Sequence, residues 1–202
     1  MTGTPAMVRG PAAVAGAPRL DYVYRADTRS MDSLKNGFVP RYDLMSVDDL
    51  RELVRVFAGV KTLADSALGS HIRLRPTGPF NGPLMDALGK ENSGASLNAL
   101  DLHRHIIQAN PRGPWVSADP DKACGGYAGG RSIYRIDMRY MRVVPWREAV
   151  PGAKGGRMWP HLLIDGRTVD DAKHFALHAS IGATREVTFL GTIPAEWITL
   201  VA

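Results

Sequence analysis

The sequence has a single cysteine, Cys124, and contains no long hydrophobic run and no run of five basic residues. One cysteine excludes an intrachain disulfide and a thiolate zinc cage, so folding is not expected to depend on an oxidising compartment. No stretch approaches the roughly 18 consecutive apolar residues that a membrane-spanning helix needs. We therefore expect a chain that folds under reducing conditions and does not cross a membrane.

The first residues are rich in Ala, Pro and Gly, yet they lack a continuous apolar segment. Pro11 and Pro18 interrupt this stretch and Arg9 lies inside it, which argues against a cleaved signal peptide. We predict that residues 1–19 form a disordered leader, either a simple tail or an address for a dedicated secretion machine. The remaining 20–202 has the length expected of one domain.

Basic residues outnumber acidic ones, which gives a formal net charge of +5 among 202 residues. This charge would suit an anionic partner such as a nucleic acid, an acidic protein or a dinucleotide. The Lys and Arg residues are scattered along the sequence, however, and dispersed charge is more typical of a solvated surface. Nucleic acid is thus the weaker of the partner hypotheses.

Helical patterns occur mainly in the first half of the chain. Ser30 is expected to cap a short helix that Gly37 ends, and Ser46 begins a capping-box pattern before apolar residues at helical spacing. Further helices are predicted to follow Ser96 and to span Asp170 to Ala179, whereas residues 69–94 read as a long loop rich in Gly and Pro.

Strand patterns are more frequent later in the chain. Because helices come early, strands come late and no βαβ rhythm appears, we predict an α+β fold on an antiparallel or mixed sheet. The predicted strands are Leu20 to Tyr24, Trp115 to Ser117, Ser132 to Met138, Leu162 to Ile164, Glu186 to Leu190 and Trp197 to Val201.

Two common kinds of site are poorly supported. The glycine-rich segment 125–130 has neither the dinucleotide-binding nor the P-loop spacing, which favours a plain connection. His174 and His178 are four residues apart and would share one face of a helix, as zinc binding requires, but no third and fourth ligands accompany them. We predict no metal site and expect solvated or capping roles for these histidines.

Three polar residues each stand at the beginning or end of a predicted strand: Arg25, Ser117 and Glu186, separated by 92 and 69 positions. Any one of them could be a surface ion pair or a strand cap. Ser117 is not flanked by the glycines of a nucleophile elbow, so a serine hydrolase is not indicated.

Several short segments form a series of motifs when they are taken together in order along the chain. They are Tyr24-Arg25-Ala26-Asp27-Thr28-Arg29, Gly37-Phe38-Val39-Pro40-Arg41, Trp115-Val116-Ser117, Ile133-Tyr134-Arg135-Ile136, Glu186-Val187 and Gly191-Thr192-Ile193-Pro194. This series resembles the motifs of the cholera- and pertussis-type mono-ADP-ribosyltransferase toxins. The resemblance implies their fold, with small helices packed on a split β core, and NAD as the substrate, with no metal.

The same resemblance assigns roles to residues. Glu186 would stabilise the oxocarbenium charge that develops on the ribose when the bond to nicotinamide breaks. Arg25 would hold the diphosphate with its bidentate guanidinium, and Ser117 would position Glu186 or the ribose. Ala26 and Asp27 would lie at the NAD site beside Arg25.

A histidine near the NAD site is also implied by the resemblance. His103 is the better match and His105 the alternative, because the register of this segment is uncertain by a residue or two.

Three positions depart from the family pattern. Ala118 and Asp119 replace a Thr and a Ser, and Thr184 replaces the Gln or Glu that usually precedes the catalytic glutamate by two residues. A threonine hydroxyl is too weak a base to activate a guanidinium at neutral pH. Ordinary transfer to arginine is therefore expected to be disfavoured, with Ser, Thr, a nucleobase or water as other acceptors.

The resemblance as a whole implies a bacterial toxin or effector that transfers ADP-ribose to a macromolecule, in particular to a host protein. Such a protein is expected to act as a monomer in the target-cell cytoplasm after secretion without a cleaved signal peptide. Two alternatives stay open: an NAD glycohydrolase toxin, and a catalytically degenerate binding module of the same fold.

Overall fold

Two antiparallel sheets organise the part of the chain that the computed structural model describes, namely residues 20–40, 45–68, 83–95, 115–153, 161–178 and 186–201. The strands are β1 Tyr22–Asp27, β2 Trp115–Ala118, β3 Ser132–Asp137, β4 Arg142–Val144, β5 His161–Ile164, β6 Phe175–His178, β7 Val187–Leu190 and β8 Ile198–Leu200. One sheet has three strands in the order β1-β3-β8, and the other has five in the order β2-β7-β6-β5-β4. This architecture confirms the α+β class.

Helices are few in the described residues. They are α1 Val47–Phe57, α2 Pro83–Asn92 and α3 Trp146–Ala149, with short 3-10 turns at Met31–Leu34, Cys124–Gly126 and Ala195–Trp197. The capping box predicted at Ser46 is confirmed, since its hydroxyl accepts from the Asp49 amide at 3.1 Å and the Asp49 carboxylate accepts from the Ser46 amide at 3.3 Å. This reciprocal pair satisfies two amides that the first turn leaves without helical partners.

The five-stranded sheet separates two hydrophobic cores, because successive side chains along its strands point to opposite faces. One face packs on the helices: Phe175 and Leu177 of β6 join a cluster that contains α1 residues such as Leu53. The other face packs on the three-stranded sheet, where Ala176 of β6 joins Val23 of β1. Both faces are covered, which explains why β6 and β7 are buried along their whole length.

Several sequence expectations need correction. The predicted helix over Asp170 to Ala179 is wrong, because Phe175–His178 is strand β6 and the preceding residues form turns. The predicted loop over 69–94 is wrong in its described part, where α2 begins at Pro83. The predicted helix after Ser96 lies outside the described residues. Strand β1 begins later than expected and runs on to Asp27, so Arg25 lies inside it.

None of the helices in the described ranges is both long enough and apolar enough to span a bilayer.

Candidate active site

Arg25 is held from three sides on strand β1. Its Nη1 donates to the backbone carbonyl of Ser117 at 2.7 Å, its Nε donates to Asp27 at 3.2 Å, and its guanidinium carbon lies 5.4 Å from the centroid of the Phe38 ring. Burial lowers the pKa of Arg25 while Asp27 opposes that effect. An arginine nevertheless stays protonated at neutral pH. The result is a fixed cation at the junction of two strands.

Asp27 is buried and binds a second arginine as well. It accepts from the Arg29 backbone amide at 3.0 Å and from Arg29 Nε and Nη2, each at 2.9 Å. Burial by itself would raise the pKa of Asp27, but the hydrogen bonds from Arg29 and the charges of Arg29 and Arg25 together lower it to about 2. The carboxylate is therefore ionised at neutral pH and fixes both guanidinium groups.

Arg29 packs against the same aromatic ring as Arg25, with its guanidinium carbon 5.1 Å from the Phe38 centroid. The Tyr134 hydroxyl donates to the Arg29 backbone carbonyl, which anchors the chain just after β1. Two guanidinium groups thus share one carboxylate and one ring. Their net charge is positive, and each has N–H donors beyond those used in the bonds given above.

Ser117 lies on β2, and Glu186 directly precedes the neighbouring strand β7. Ser117 of β2 pairs with Thr188 of β7, and the Thr188 hydroxyl donates to Glu186 Oε1 at 3.2 Å. Glu186 is half-buried and directly precedes β7. Since residues two apart on an extended chain share a face, Glu186 and Thr188 lie on the same side of the sheet as Ser117.

A chain of contacts therefore joins the three residues that the sequence singled out. Arg25 bonds to the Ser117 backbone, Ser117 lies opposite Thr188, and Thr188 bonds to Glu186. The two sheets meet at this point, because Tyr24 and the residue after β2, Asp119, exchange two backbone hydrogen bonds of 2.7 Å. The structure thus links Arg25 on β1, Ser117 on β2 and Glu186, which directly precedes β7.

The two glycine-containing motifs of the sequence are also in contact. The Phe38 and Ile193 backbones exchange two hydrogen bonds of 3.0 Å. Gly37 has a φ of +77°, and a Cβ at this position would lie 1.9 Å from the Ile193 carbonyl oxygen. Glycine is thus required here both by its backbone conformation and by the close approach. This contact fixes Phe38, and the guanidinium groups of Arg25 and Arg29 pack against its ring.

The glycine-rich segment 125–130 lies in the connection between β2 and β3, and its first residues belong to a turn that contacts β1. Cys124 is buried in its 3-10 turn, which contacts β1. Burial and the nearby Asp119 carboxylate raise the pKa of the Cys124 thiol. Further along, Tyr127 is 69% exposed. The turn therefore packs beside the arginine-bearing strand and presents an aromatic ring to solvent.

Sequence reasoning did not identify every residue of this cluster. The sequence did not predict Arg29, Phe38 and Thr188 as site members, although the first two lie inside motifs that carry the family resemblance and the third is two residues after Glu186. Ala26 lies on β1 next to Arg25, as its motif requires. His103, His105 and Thr184, which were assigned to the NAD and acceptor sides, lie outside the described residues.

The histidines predicted to be solvated or capping behave differently. His174 Nδ1 lies 2.7 Å from Asp165 Oδ2, and its ring centroid is 4.8 Å from that of Trp197. His178 is buried in β6, so its predicted solvated role is wrong. Among the described residues, no group of three or more His, Cys, Asp or Glu side chains is placed to hold a metal ion.

No protein-family model matches the sequence, and a comparison with curated proteins finds no match.

Proposed function

We propose that this chain is a mono-ADP-ribosyltransferase of the toxin or effector type, which cleaves NAD and transfers ADP-ribose to a macromolecular acceptor. The observation that carries the proposal is the hydrogen bond between Arg25 and the Ser117 carbonyl, which links two of the motif residues across 92 positions of sequence. Glu186 follows in the same contact chain through Thr188.

The arginine pair supports binding of a diphosphate. Arg25 and Arg29 are both oriented by Asp27, and their planar guanidinium groups match the geometry of phosphate oxygens. A fixed pair of this kind does not need to be ordered when the substrate binds, which favours accurate placement of the bond to be broken. The role proposed for Asp27 at the NAD site is therefore to orient the two arginines.

Glu186 supports the chemical step. Cleavage of the bond between nicotinamide and ribose develops positive charge on the ribose, and a positioned carboxylate stabilises that charge where water is excluded. The Thr188 hydroxyl holds one carboxylate oxygen, so the other oxygen has lone pairs available for a ribose hydroxyl. Ser117, which lies opposite Thr188 in the register, would steady this arrangement.

The acceptor side has a different composition from that of arginine-modifying relatives. Members of the resembled family that modify arginine have a second glutamate at this position, and Thr184 cannot supply its carboxylate. The proposed acceptor is therefore a host-protein residue other than arginine, such as one with a Ser or Thr hydroxyl. Mapping of the modified residues by mass spectrometry tests this point. Arginine adducts as the main product would contradict it.

The fate of the ADP-ribose distinguishes the proposal from its alternatives. The purified protein is incubated with NAD labelled in its adenosine part and with a cell lysate, and the label is then followed. Label on protein supports the transferase, free labelled ADP-ribose as the only product supports an NAD glycohydrolase, and no cleavage of NAD supports a degenerate binding module. The Arg25→Lys variant tests the geometry of the arginine apart from its charge. Lysine keeps the charge but cannot bond both Asp27 and the Ser117 carbonyl in the same way, so this variant should cleave NAD more slowly.

A further inference from the structure

A six-residue pattern, Tyr-Arg-x-Asp-x-Arg, occurs twice in the chain, at residues 24–29 and again at 134–139. The first copy begins in β1 and the second begins in β3, and these strands pair antiparallel in the three-stranded sheet. The first copy carries the arginines of the candidate active site. The second copy places the same residue types on the adjacent strand.

The two copies present their first arginines on opposite faces of the three-stranded sheet. Arg25 lies directly opposite Tyr134 in the register, so these two residues share a face. Tyr134 belongs to the core between the two sheets. Arg135 is the next residue along β3 and points to the other face, because successive side chains of a strand alternate. Arg135 therefore lies on the outer face of the sheet.

Two guanidinium groups pack against one tyrosine ring on this outer face. The guanidinium carbons of Arg135 and Arg139 lie 4.5 Å and 5.6 Å from the centroid of the Tyr22 ring. Asp137 lies opposite Tyr22 in the register and accepts from Arg139 Nε at 3.0 Å and Nη2 at 2.6 Å. This cluster repeats the combination of two arginines, one ring and one carboxylate that is found at the candidate active site.

Arg135 is the less neutralised of the two arginines in the outer cluster. In the part of the chain that the structure describes, no oxygen atom accepts a hydrogen bond from its guanidinium group, whereas Arg25 bonds both a carbonyl and a carboxylate. The nearby Asp137 interacts with Arg135 through its charge alone. The half-buried Arg135 therefore has N–H donors available for a ligand.

We propose that Arg135 and Arg139 form a second phosphate-binding site, on the outer face of the three-stranded sheet. One carboxylate accompanies two guanidinium groups, so the cluster keeps a net positive charge. A phosphate group can accept from two guanidinium groups at once, and their planar donor geometry matches its oxygen atoms. The site lies on the opposite face from Arg25, and the proposal does not depend on the function proposed above.

The same phosphate group is offered by a free polyphosphate and by the backbone of a single-stranded nucleic acid. The full-length protein is titrated separately with pyrophosphate, a short single-stranded oligothymidylate and poly-glutamate, at equal ionic strength. ¹H–¹⁵N spectra of the arginine Nε–Hε groups report which side chains respond.

We expect the Arg135 signal to shift with a phosphate-bearing ligand. A shift with pyrophosphate identifies a free polyphosphate as sufficient, and a shift with the oligothymidylate alone identifies a nucleic acid strand. No shift of the Arg135 signal with either ligand would overturn the proposal. Equal affinity for poly-glutamate would overturn it too, because the site would then not select phosphate. The signals of Arg25 and Arg29 report separately on the proposed NAD site.

Arg135→Gln should weaken binding, measured from the Arg139 signal, by about 10-fold or more, because it removes charge-assisted hydrogen bonds. Arg167→Gln is the matched control, since it removes one positive charge from an exposed residue between β5 and β6, and it should leave the affinity unchanged. Wild-type affinity in Arg135→Gln would contradict the site. The spectra of the unaltered protein keep the proposal testable even if a variant folds poorly.

Discussion

Replacing Asp27 by Asn removes the charge that holds Arg25 and Arg29 while keeping the size of the side chain. The carboxylate is 9% exposed and accepts hydrogen bonds from both guanidinium groups. In the variant, two half-buried cations lose their shared counter-ion. We expect lower stability at neutral pH and slower cleavage of NAD, because the guanidinium groups are no longer fixed.

The magnitude follows from the pKa of Asp27, which falls from its ordinary value of 3.8 to about 2. At about 1.4 kcal/mol per pH unit, this difference is worth about 2 kcal/mol of folding free energy at pH 7. The pKa is lowered by folding, so the stabilisation is present above about pH 4 and is lost as the pH falls through 2. Burial lowers the pKa of Arg25 and hydrogen bonds raise that of Arg29, but both stay charged in this window.

Urea unfolding of the wild type and of Asp27→Asn between pH 7 and pH 2 measures this effect. The difference in unfolding free energy should be about 2 kcal/mol at pH 7 and should shrink toward pH 2, where the wild-type carboxyl is itself becoming neutral. A difference in unfolding free energy that stays constant from pH 7 to pH 2 would refute the stabilising role of the Asp27 charge.

Asp137→Asn is the matched control for Asp27→Asn. Asp137 bonds Arg139 in the same i,i+2 arrangement, but the Arg139 side chain is exposed, and the nearby Arg135 acts on Asp137 through its charge. Asp137→Asn should lower the unfolding free energy by less than Asp27→Asn does, because solvent screens exposed ion pairs.

Two further substitutions test other contacts of the site. Gly37→Ala places a Cβ 1.9 Å from the Ile193 carbonyl oxygen at a residue with a positive φ. It should therefore lower the unfolding free energy, measured in urea, by more than about 1 kcal/mol. An unchanged unfolding free energy would contradict this close approach. Thr188→Val keeps the shape but removes the hydroxyl that bonds Glu186, so kcat for nicotinamide release should fall with little change in the unfolding midpoint. An unchanged kcat would show that the hydroxyl does not position Glu186.

Local signals in the sequence predicted the elements that depend on local chemistry. The capping box at Ser46 and the turn at Gly37 were identified because each rests on specific side-chain or backbone requirements of a few neighbouring residues. Strand β6 was predicted as a helix because both its faces are buried. A short apolar run without alternation cannot be distinguished from helix by periodicity. Helix α2 was missed because Pro83 and Gly89 suggested a loop, although proline is common in a first helical turn.

The order of motifs along the chain predicted part of the candidate site. Arg25, Ser117 and Glu186 could be named from their motifs, but their meeting depends on which strands pair and in what register. That information is not local. The sharing of Asp27 by two arginines over the Phe38 ring is likewise a tertiary arrangement, which residue types alone do not specify.

The most direct test of the proposed function is nicotinamide release from NAD by the wild type and by Glu186→Gln. Glu196→Gln, an exposed carboxylate in the same C-terminal stretch, is the control for loss of charge. The wild type and the control should release nicotinamide at equal rates. Glu186→Gln should be slower by about 100-fold or more while keeping its unfolding midpoint. Release by Glu186→Gln at the wild-type rate, or no release by the wild type, would contradict the proposed catalytic role.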